Sequence, residues 1–106
     1  MQEITATELN ELMASGADVQ LIDVRQPSEH NFASIPGSKL IPLGEIMNRI
    51  EEIDPKRDTV IHCKMGGRSA RAIEALERAG FKGKLRNLRG GITAWSNEVD
   101  PKVPKY

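Results

Sequence analysis

Cys63, the only cysteine of this 106-residue chain, lies in a segment suited to anion binding and nucleophilic chemistry. Apolar residues precede it at positions 60 and 61, and Gly66, Gly67 and a basic, alanine-rich stretch follow it. This order predicts a strand, a tight loop and a helix. Backbone N–H groups at a helix N-terminus attract anions, and their field lowers the pKa of a thiol. We therefore interpret Cys63 as a nucleophile rather than as the packing residue that a free cysteine commonly is.

We predict an anion-binding loop directly after Cys63. Gly66 and Gly67 permit backbone angles that other residues resist and let an anion approach closely. Arg68 has two interpretations of equal weight, donation to a bound sulfur anion or an ion pair with a carboxylate. Ser69 could donate its hydroxyl hydrogen to the thiolate or cap the following helix. The predicted loop consists of Lys64, Met65, Gly66, Gly67, Arg68 and Ser69.

Asp23 and Arg25, near the end of an earlier predicted strand, are candidates for supporting the site. They could brace the cysteine loop by hydrogen bonds. The interpretation that we favour is structural, with an ion pair between Arg25 and Glu29 that fixes a short helix. His62 precedes Cys63 directly, but neighbouring residues of a strand point to opposite faces. We therefore predict a packing histidine rather than a Cys–His dyad.

The composition excludes several classes of function. The chain has 15 basic and 15 acidic side chains, with no basic block or aromatic platform for nucleic acid. No apolar run is long enough to span a membrane, and the first residues do not resemble a signal peptide. A single cysteine excludes an intrachain disulfide, a Cys-x-x-Cys pair and a multi-cysteine zinc site. We expect no metal, no organic cofactor, and a cytoplasmic location that keeps a lone thiol reduced.

Apolar spacing predicts the elements that position these residues. Strands are expected at residues 19–24, 39–41, 59–62 and 85–88, and helices at residues 6–15, 27–32, 43–53, 68–79 and around Trp95. A capping box from Thr5 to Glu8 begins the first helix. Strands that alternate with helices imply a mainly parallel sheet, whose ligands bind at the carboxyl ends of its strands. We predict Trp95, Phe32 and Phe81 in the core.

Three motifs together resemble the single-domain rhodaneses, which are sulfurtransferases. The loop from Cys63 has the pattern Cys-x-x-Gly-x-Arg-Ser, residues 21–25 and 35–38 resemble the first family motif, and residues 90–95 resemble the last. The resemblance implies an α/β fold, namely one rhodanese-like domain over residues 1–106. Its mainly parallel sheet would have about five strands, with helices on both faces. One departure is Ala33-Ser34, where many members have Gly-His.

The resemblance also implies the chemistry of sulfur transfer. In this family the counterpart of Cys63 carries a persulfide (Cys–S–SH) as the covalent intermediate. The donor would be thiosulfate, mercaptopyruvate or a persulfidated protein such as a cysteine desulfurase. Two other functions stay open at this point, a cysteine-dependent phosphatase of related fold and a non-catalytic interaction module of rhodanese fold.

The length of the loop favours sulfur transfer over the phosphatase reaction. Phosphatases of related fold have the arginine six positions after the cysteine, whereas Arg68 follows Cys63 by five positions and Ser69 takes the sixth. A shorter loop makes a smaller cradle. It suits a terminal sulfur or a thiosulfate-sized anion better than a phosphate ester.

A narrower resemblance concerns the acceptor of the sulfur. The loop at 63–69, together with the tail at 94–106, is similar to the C-terminal rhodanese domain of MoeB/MoeZ-like adenylyltransferase–sulfurtransferases. The match implies either a domain excised from the C-terminus of a longer two-domain protein or a stand-alone relative. It also implies that the acceptor is a ubiquitin-like sulfur carrier, converted to a thiocarboxylate in molybdopterin- or thiamine-type biosynthesis.

Overall fold

Five parallel strands form the central sheet of the computed structural model, which describes residues 1–106. In chain order they are β1 (Glu3–Ile4), β2 (Val19–Asp23), β3 (Lys39–Leu40), β4 (Asp58–His62) and β5 (Leu85–Leu88). In space their order is β1-β5-β4-β2-β3, and all neighbours are parallel. The predicted α/β class is confirmed. The strand that no pattern indicated is β1, because two residues are too few to show periodicity.

Four α-helices and one 3₁₀ segment connect the strands. They are α1 (Ala6–Ala14), α2 (Pro27–Phe32), the 3₁₀ segment Leu43–Glu52, α3 (Gly67–Arg78) and α4 (Gly91–Glu98). The predicted capping box begins α1, because the Glu8 N–H donates to the Thr5 hydroxyl over 3.1 Å and the Thr5 N–H donates to the Glu8 carboxylate over 2.9 Å. None of these helices has the length and apolar character needed to cross a bilayer.

The segment at residues 43–53, predicted as a regular amphipathic helix, is a 3₁₀ helix over most of its length. Its apolar side still faces inward, where Ile46 is buried. The backbone leaves helical geometry at Arg49 (φ −124°, ψ 23°), whose guanidinium bonds to Glu45 and Glu52. Glycine and asparagine within the segment are weak α-helix formers, and apolar residues spaced by three fit the tighter helix.

Alternate residues of the central strands pack on opposite faces of the sheet. Leu21 and Val60 belong to a core shared with α1 and α4. Ile22 and Ile61 belong to a second core shared with α3 and the 3₁₀ segment. Helices on both faces therefore cover the sheet, as predicted. Trp95 is buried in the first core, which agrees with its predicted position.

The carboxyl ends of β2, β4 and β5 meet at one edge of the sheet. Asp23 pairs in register with His62, so Cys63 begins the loop just beyond both strands. The chain that leaves β5 turns at Gly90 and starts α4 beside the same edge. This edge is where parallel sheets bind ligands, and it brings three separate segments of the chain around one thiol.

Candidate active site

The thiol of Cys63 is buried and surrounded by hydrogen-bond donors. The Gly66 N–H donates to its sulfur over 3.1 Å, and the Ser69 hydroxyl lies 3.4 Å from it. Burial acts to raise the pKa of the thiol, but the Ser69 hydroxyl and the N–H groups of Ser69, Gly66 and Met65 outweigh it and lower that pKa below its ordinary value. The position therefore favours a thiolate, the nucleophilic form of cysteine.

The first turn of α4 orients the peptides of the cysteine loop. The N–H of Ile92 donates to the carbonyl of Cys63 over 3.0 Å, and the N–H of Thr93 donates to the carbonyl of Lys64 over 3.1 Å. The C=O and N–H of a trans peptide point in opposite directions. The N–H groups of the peptides after Cys63 and Lys64 therefore face away from α4, and that of Met65 contributes to stabilising the thiolate.

Gly91 permits this contact because it has no side chain. Its φ is +57°, and a Cβ at this position would lie 2.6 Å from the Cys63 carbonyl oxygen and closer still to that of Lys64. Any other residue would push α4 away from the loop or distort the loop itself. The glycine at position 91, the first residue of α4, is thus a requirement of the site and not only of the turn.

Ser69 faces the sulfur and does not cap α3. The residue that caps α3 is Gly66, at φ +116°, and Ser69 is the third residue of the helix. The Ser69 hydroxyl lies between Cys63 and the side chain of Asn87 on β5, to whose amide oxygen it donates over 2.6 Å. Of the two interpretations given to Ser69, the geometry agrees with contact to the sulfur.

Arg68 points away from the sulfur and forms an ion pair with Glu29 of α2. Its two terminal nitrogens donate to the two carboxylate oxygens over 2.7 and 2.9 Å. These bonds from Arg68 lower the pKa of Glu29 to about 2. The guanidinium is occupied, so backbone N–H groups rather than Arg68 surround the sulfur of Cys63. The geometry agrees with the second interpretation of Arg68, an ion pair with a carboxylate.

Arg25 pairs with Asp23, and the predicted ion pair between Arg25 and Glu29 is wrong. Two guanidinium nitrogens of Arg25 donate to the Asp23 carboxylate over 2.9 and 2.8 Å, and both side chains are buried. Residues two apart in an extended chain share a face, which brings these two together. His30 adds a contact of 2.9 Å to the same carboxylate. Neither Asp23 nor Arg25 bonds to the cysteine loop, so the alternative of direct bracing is also wrong.

Tyr106 connects Arg25 to the ion pair beside the loop, a role that no sequence pattern indicated. Its hydroxyl accepts from Arg25 over 2.8 Å and donates to the Glu29 carboxylate over 2.6 Å. The ammonium of Lys64 lies 4.6 Å from the centre of its ring. The tail thus packs against the cysteine loop, and Arg25 acts on the loop only through Tyr106 and Glu29.

His62 is a buried neutral residue, in agreement with the prediction of a packing histidine. Burial lowers its pKa to about 4, and its Nδ1 lies 3.4 Å from the carbonyl oxygen of Cys63. It makes no contact with the sulfur. The departure at Ala33-Ser34 leaves local packing intact, because Ala33 is buried and its carbonyl, present in any residue, accepts from Arg25 over 2.6 Å.

An open depression of about 430 Å³ leads to the sulfur. It is lined by Lys64, Met65, Gly67, Arg68 and Arg71 around Cys63. The ring of Tyr106 lies against the Lys64 ammonium, and Phe32 packs on that ring. We use the term rim for five side chains on this border: Phe32, Lys64, Met65, Arg71 and Tyr106. Phe32 was predicted in the core, but 57% of it is exposed, since α2 turns it outward against the edge of the Tyr106 ring. Lys64 and Arg71 form no ion pair. The mouth of the site is therefore apolar and basic.

Comparison with known proteins identifies the family to which this arrangement is similar. The model of the rhodanese-like domain matches residues 5–98. A sulfurtransferase of Allochromatium vinosum is 39% identical, and the match covers 97% of this chain and 95% of that protein. The crystal structure of a rhodanese-like domain protein from Staphylococcus aureus superposes with a TM-score of 0.84 at 32% identity, over 100% of this chain and 99% of that one.

Longer proteins contain a similar domain. The probable adenylyltransferase/sulfurtransferase MoeZ of Mycobacterium tuberculosis is 38% identical over 97% of this chain. This chain spans 26% of the length of that protein and 38% of the length of a chloroplast relative from Arabidopsis thaliana.

Replacing Gly91 with alanine tests the contact that orients the loop. We expect Gly91→Ala to lower the free energy of unfolding by about 3 kcal/mol or more. The new Cβ would be strained by the left-handed backbone at position 91, and it would also overlap with the backbone carbonyls of Cys63 and Lys64. The variant should also alkylate at Cys63 more slowly. Gly16→Ala is the matched control, since Gly16 has φ +80° but open space around it. That variant should lose only about 1 kcal/mol. Equal losses in urea unfolding would contradict the interpretation.

The ion pair between Arg68 and Glu29 predicts a pH dependence of stability. The pKa of Glu29 falls from 4.5 to about 2 on folding, so its contribution is complete above pH 4.5 and is lost as the pH falls toward 2. In Glu29→Gln we expect a shallower decrease of the free energy of unfolding across this interval. Glu77→Gln, which removes an exposed carboxylate of α3 that forms no ion pair, should keep the native slope. Identical slopes in all three proteins would show that the ion pair does not stabilise the fold.

Proposed function

The chain belongs to the rhodanese-like family of sulfurtransferases, and we propose that it carries sulfane sulfur as a persulfide on Cys63 and passes it to a second molecule. The observation that carries this proposal is the arrangement of donors around the sulfur. A hydroxyl and three backbone N–H groups lower the pKa of Cys63 without a neighbouring base. Uncharged donors of this kind stabilise a thiolate and equally a persulfide anion.

In the first half of the reaction the thiolate of Cys63 attacks the outer sulfur of a donor. With thiosulfate, a new S–S bond forms, the bond between the two donor sulfurs breaks, and sulfite leaves with the electron pair. With a persulfidated protein such as a cysteine desulfurase, the leaving group is the thiolate of that protein. We propose that the outer sulfur then rests against the N–H groups of the loop, where the thiolate charge was stabilised before.

In the second half of the reaction an acceptor removes the outer sulfur. Either a nucleophilic acceptor attacks that sulfur and regenerates the thiolate of Cys63, or the persulfide itself attacks an activated acyl group. Turnover is ping-pong in both cases. Residues 1–106 contain one cysteine, and any thiol that completes a transfer therefore lies outside them. No metal or organic cofactor enters this mechanism. We propose a cytoplasmic location, since a reducing compartment preserves such a thiol.

The position of Arg68 favours sulfur transfer over hydrolysis of phosphate esters. A phosphatase of the related type needs its loop arginine to donate to the phosphoryl oxygens, which calls for a free, bidentate guanidinium. Here both terminal nitrogens of Arg68 are bound to Glu29. The remaining donors form a small neutral cradle, which fits a single terminal sulfur.

We propose that the physiological acceptor is a ubiquitin-like sulfur carrier. The relative MoeZ, named as an adenylyltransferase/sulfurtransferase, supports this choice, because adenylation activates a carboxyl group toward attack by sulfur. The persulfide would attack the activated carboxyl carbon and displace AMP. An external thiol would then attack the Cys63 sulfur of the acyl disulfide, which releases the thiocarboxylate and leaves a mixed disulfide on Cys63. A second thiol would reduce that mixed disulfide and regenerate the Cys63 thiolate. The open depression and the apolar, basic rim suit an extended protein tail better than an enclosed pocket would.

Persulfide formation is tested by the intact mass of the protein after brief exposure to thiosulfate. We expect a gain of one sulfur atom that cyanide removes as thiocyanate. Cys63→Ser should show no gain while it keeps the native unfolding transition.

If thiosulfate adds no sulfur, a cysteine desulfurase with cysteine as substrate replaces it as the donor. Failure of both donors would contradict the proposal. Hydrolysis of an aryl phosphate that depends on Cys63 would replace it with the phosphatase function.

The protein acceptor is tested at Phe32, which belongs to the rim but makes no contact with the sulfur. For transfer to an adenylated ubiquitin-like sulfur carrier, we expect Phe32→Ser to raise KM about fivefold to thirtyfold, the loss typical of an aromatic interface residue. Transfer from thiosulfate to cyanide should stay at the native rate.

Met47→Ser is the control, because Met47 is an exposed apolar residue of the 3₁₀ segment, 43% exposed, and is not one of the rim residues. Equal KM values for the carrier in both variants would exclude the rim as its binding surface, while persulfide formation on Cys63 would be unaffected.

A further inference from the structure

Asn87 is a buried polar residue whose side chain bonds only to the cysteine loop and the helix that follows it. It lies on β5, 5% exposed, opposite Ile61 of β4. Its amide nitrogen donates to the carbonyl of Gly66 over 3.1 Å, and its amide oxygen accepts from the Ser69 hydroxyl over 2.6 Å. Both partners in turn contact the sulfur of Cys63, so Asn87 holds two of the groups that stabilise the thiolate.

The orientation of the Asn87 amide is determined by its two partners. The carbonyl of Gly66 can only accept, so the NH₂ end of Asn87 must face it and the oxygen must face Ser69. A serine hydroxyl has one hydrogen. While the thiol of Cys63 is neutral, that hydrogen goes to Asn87, and the Ser69 oxygen can accept from the S–H group. When the thiol ionises, the Ser69 hydrogen has a charged acceptor 3.4 Å away as its alternative.

The other contact of Asn87 holds the backbone at Gly66. Gly66 has φ +116°, a conformation that its lack of a side chain permits but does not enforce. The carbonyl of Gly66 also accepts from the N–H of Ala70, which anchors it to the first turn of α3. The bond from Asn87 adds an anchor from β5, and the Gly66 N–H is thereby kept 3.1 Å from the sulfur.

We propose that Asn87 is a positioning residue of the sulfur-transfer site: it holds the Gly66 peptide so that its N–H donates to the sulfur of Cys63 when the thiolate or persulfide forms, and it holds the Ser69 side chain beside that sulfur. This inference rests on the proposed function only for the identity of the nucleophile. Asn87 makes no contact with the sulfur and acts through its two partners. The Asn87 oxygen and the thiolate compete for the one hydrogen of Ser69, so the two residues must be energetically coupled.

The coupling is measured by the pH dependence of iodoacetamide alkylation, which reports on Cys63 alone because the chain has one cysteine. We expect Ser69→Ala and Asn87→Leu each to slow alkylation at pH 7 about fivefold to tenfold and to move the midpoint of the profile to higher pH. In the double variant we expect a rate below the one obtained by multiplying the two single effects, because the Ser69 hydrogen that the loss of Asn87 frees for the thiolate is then missing. Effects of the two substitutions that multiply would overturn the proposal.

Two controls separate positioning from a general loss of structure. Ser96→Ala removes another buried serine, whose hydroxyl donates to the carbonyl of Val103 over 2.8 Å, and should leave the pH midpoint unchanged. Asn87→Ala, which leaves room for a water molecule at the Gly66 carbonyl, replaces Asn87→Leu if the latter does not fold. A native midpoint in a folded Asn87 variant would also overturn the proposal. Alkylation needs no sulfur donor, so its outcome is independent of whether persulfide transfer is found.

Discussion

The two hydrogen bonds from the start of α4 to the carbonyls of Cys63 and Lys64 are the constraint on which the site depends. They point the carbonyls of Cys63 and Lys64 toward α4. The N–H groups of the same two peptides therefore point away from α4, to the side of the loop on which the sulfur lies. The contact requires a glycine at position 91, a β5 that ends beside β4, and a first core that holds Trp95 in place. The reactivity of Cys63 thus depends on the packing of the first core, which lies on the other face of the sheet from the core that contains Cys63.

The side chains of Arg25 and Arg68, near the site, bind carboxylates and form no hydrogen bond to the sulfur of Cys63. The guanidinium of Arg68, five positions after Cys63, is paired with Glu29, and the Arg25–Asp23 pair is buried. Buried ion pairs contribute little net stability, but removing one partner leaves a charge uncompensated, so such pairs fix geometry. Here they join β2, α2 and the tail into a frame beside the loop. The sulfur itself is held by neutral dipoles, whose effect ionic screening weakens far less than that of exposed charges.

Local patterns predicted the parts of the fold that depend on neighbouring residues. The strand, loop and helix around Cys63 and the capping box of α1 follow from short-range chemistry, and both form. Arg68 pairs with Glu29, 39 positions away, and Arg25 bonds to Tyr106, 81 positions away, and no spacing along the chain indicates these two contacts. The pair of Arg25 with Asp23 is local, because residues two apart in a strand share a face. Asn87 was missed because β5 has only four residues, two of them polar, and nothing in so short a pattern shows that Asn87 is buried. Phe32 was misplaced because its hydrophobicity does not reveal the side of α2 that faces solvent.

The close contact of Gly91 with the cysteine loop also limits the positions at which the loop can change in length. The first two peptides of the loop are fixed by α4, whereas Met65, just beyond them, is 67% exposed. An inserted residue is therefore tolerated after Lys64 and not before it. Lengthening at that point enlarges the ring of N–H groups while β4 and α4 keep their positions. Insertion of one residue at this point could therefore change the bound group from a single sulfur atom to a bulkier oxyanion without a change in the scaffold.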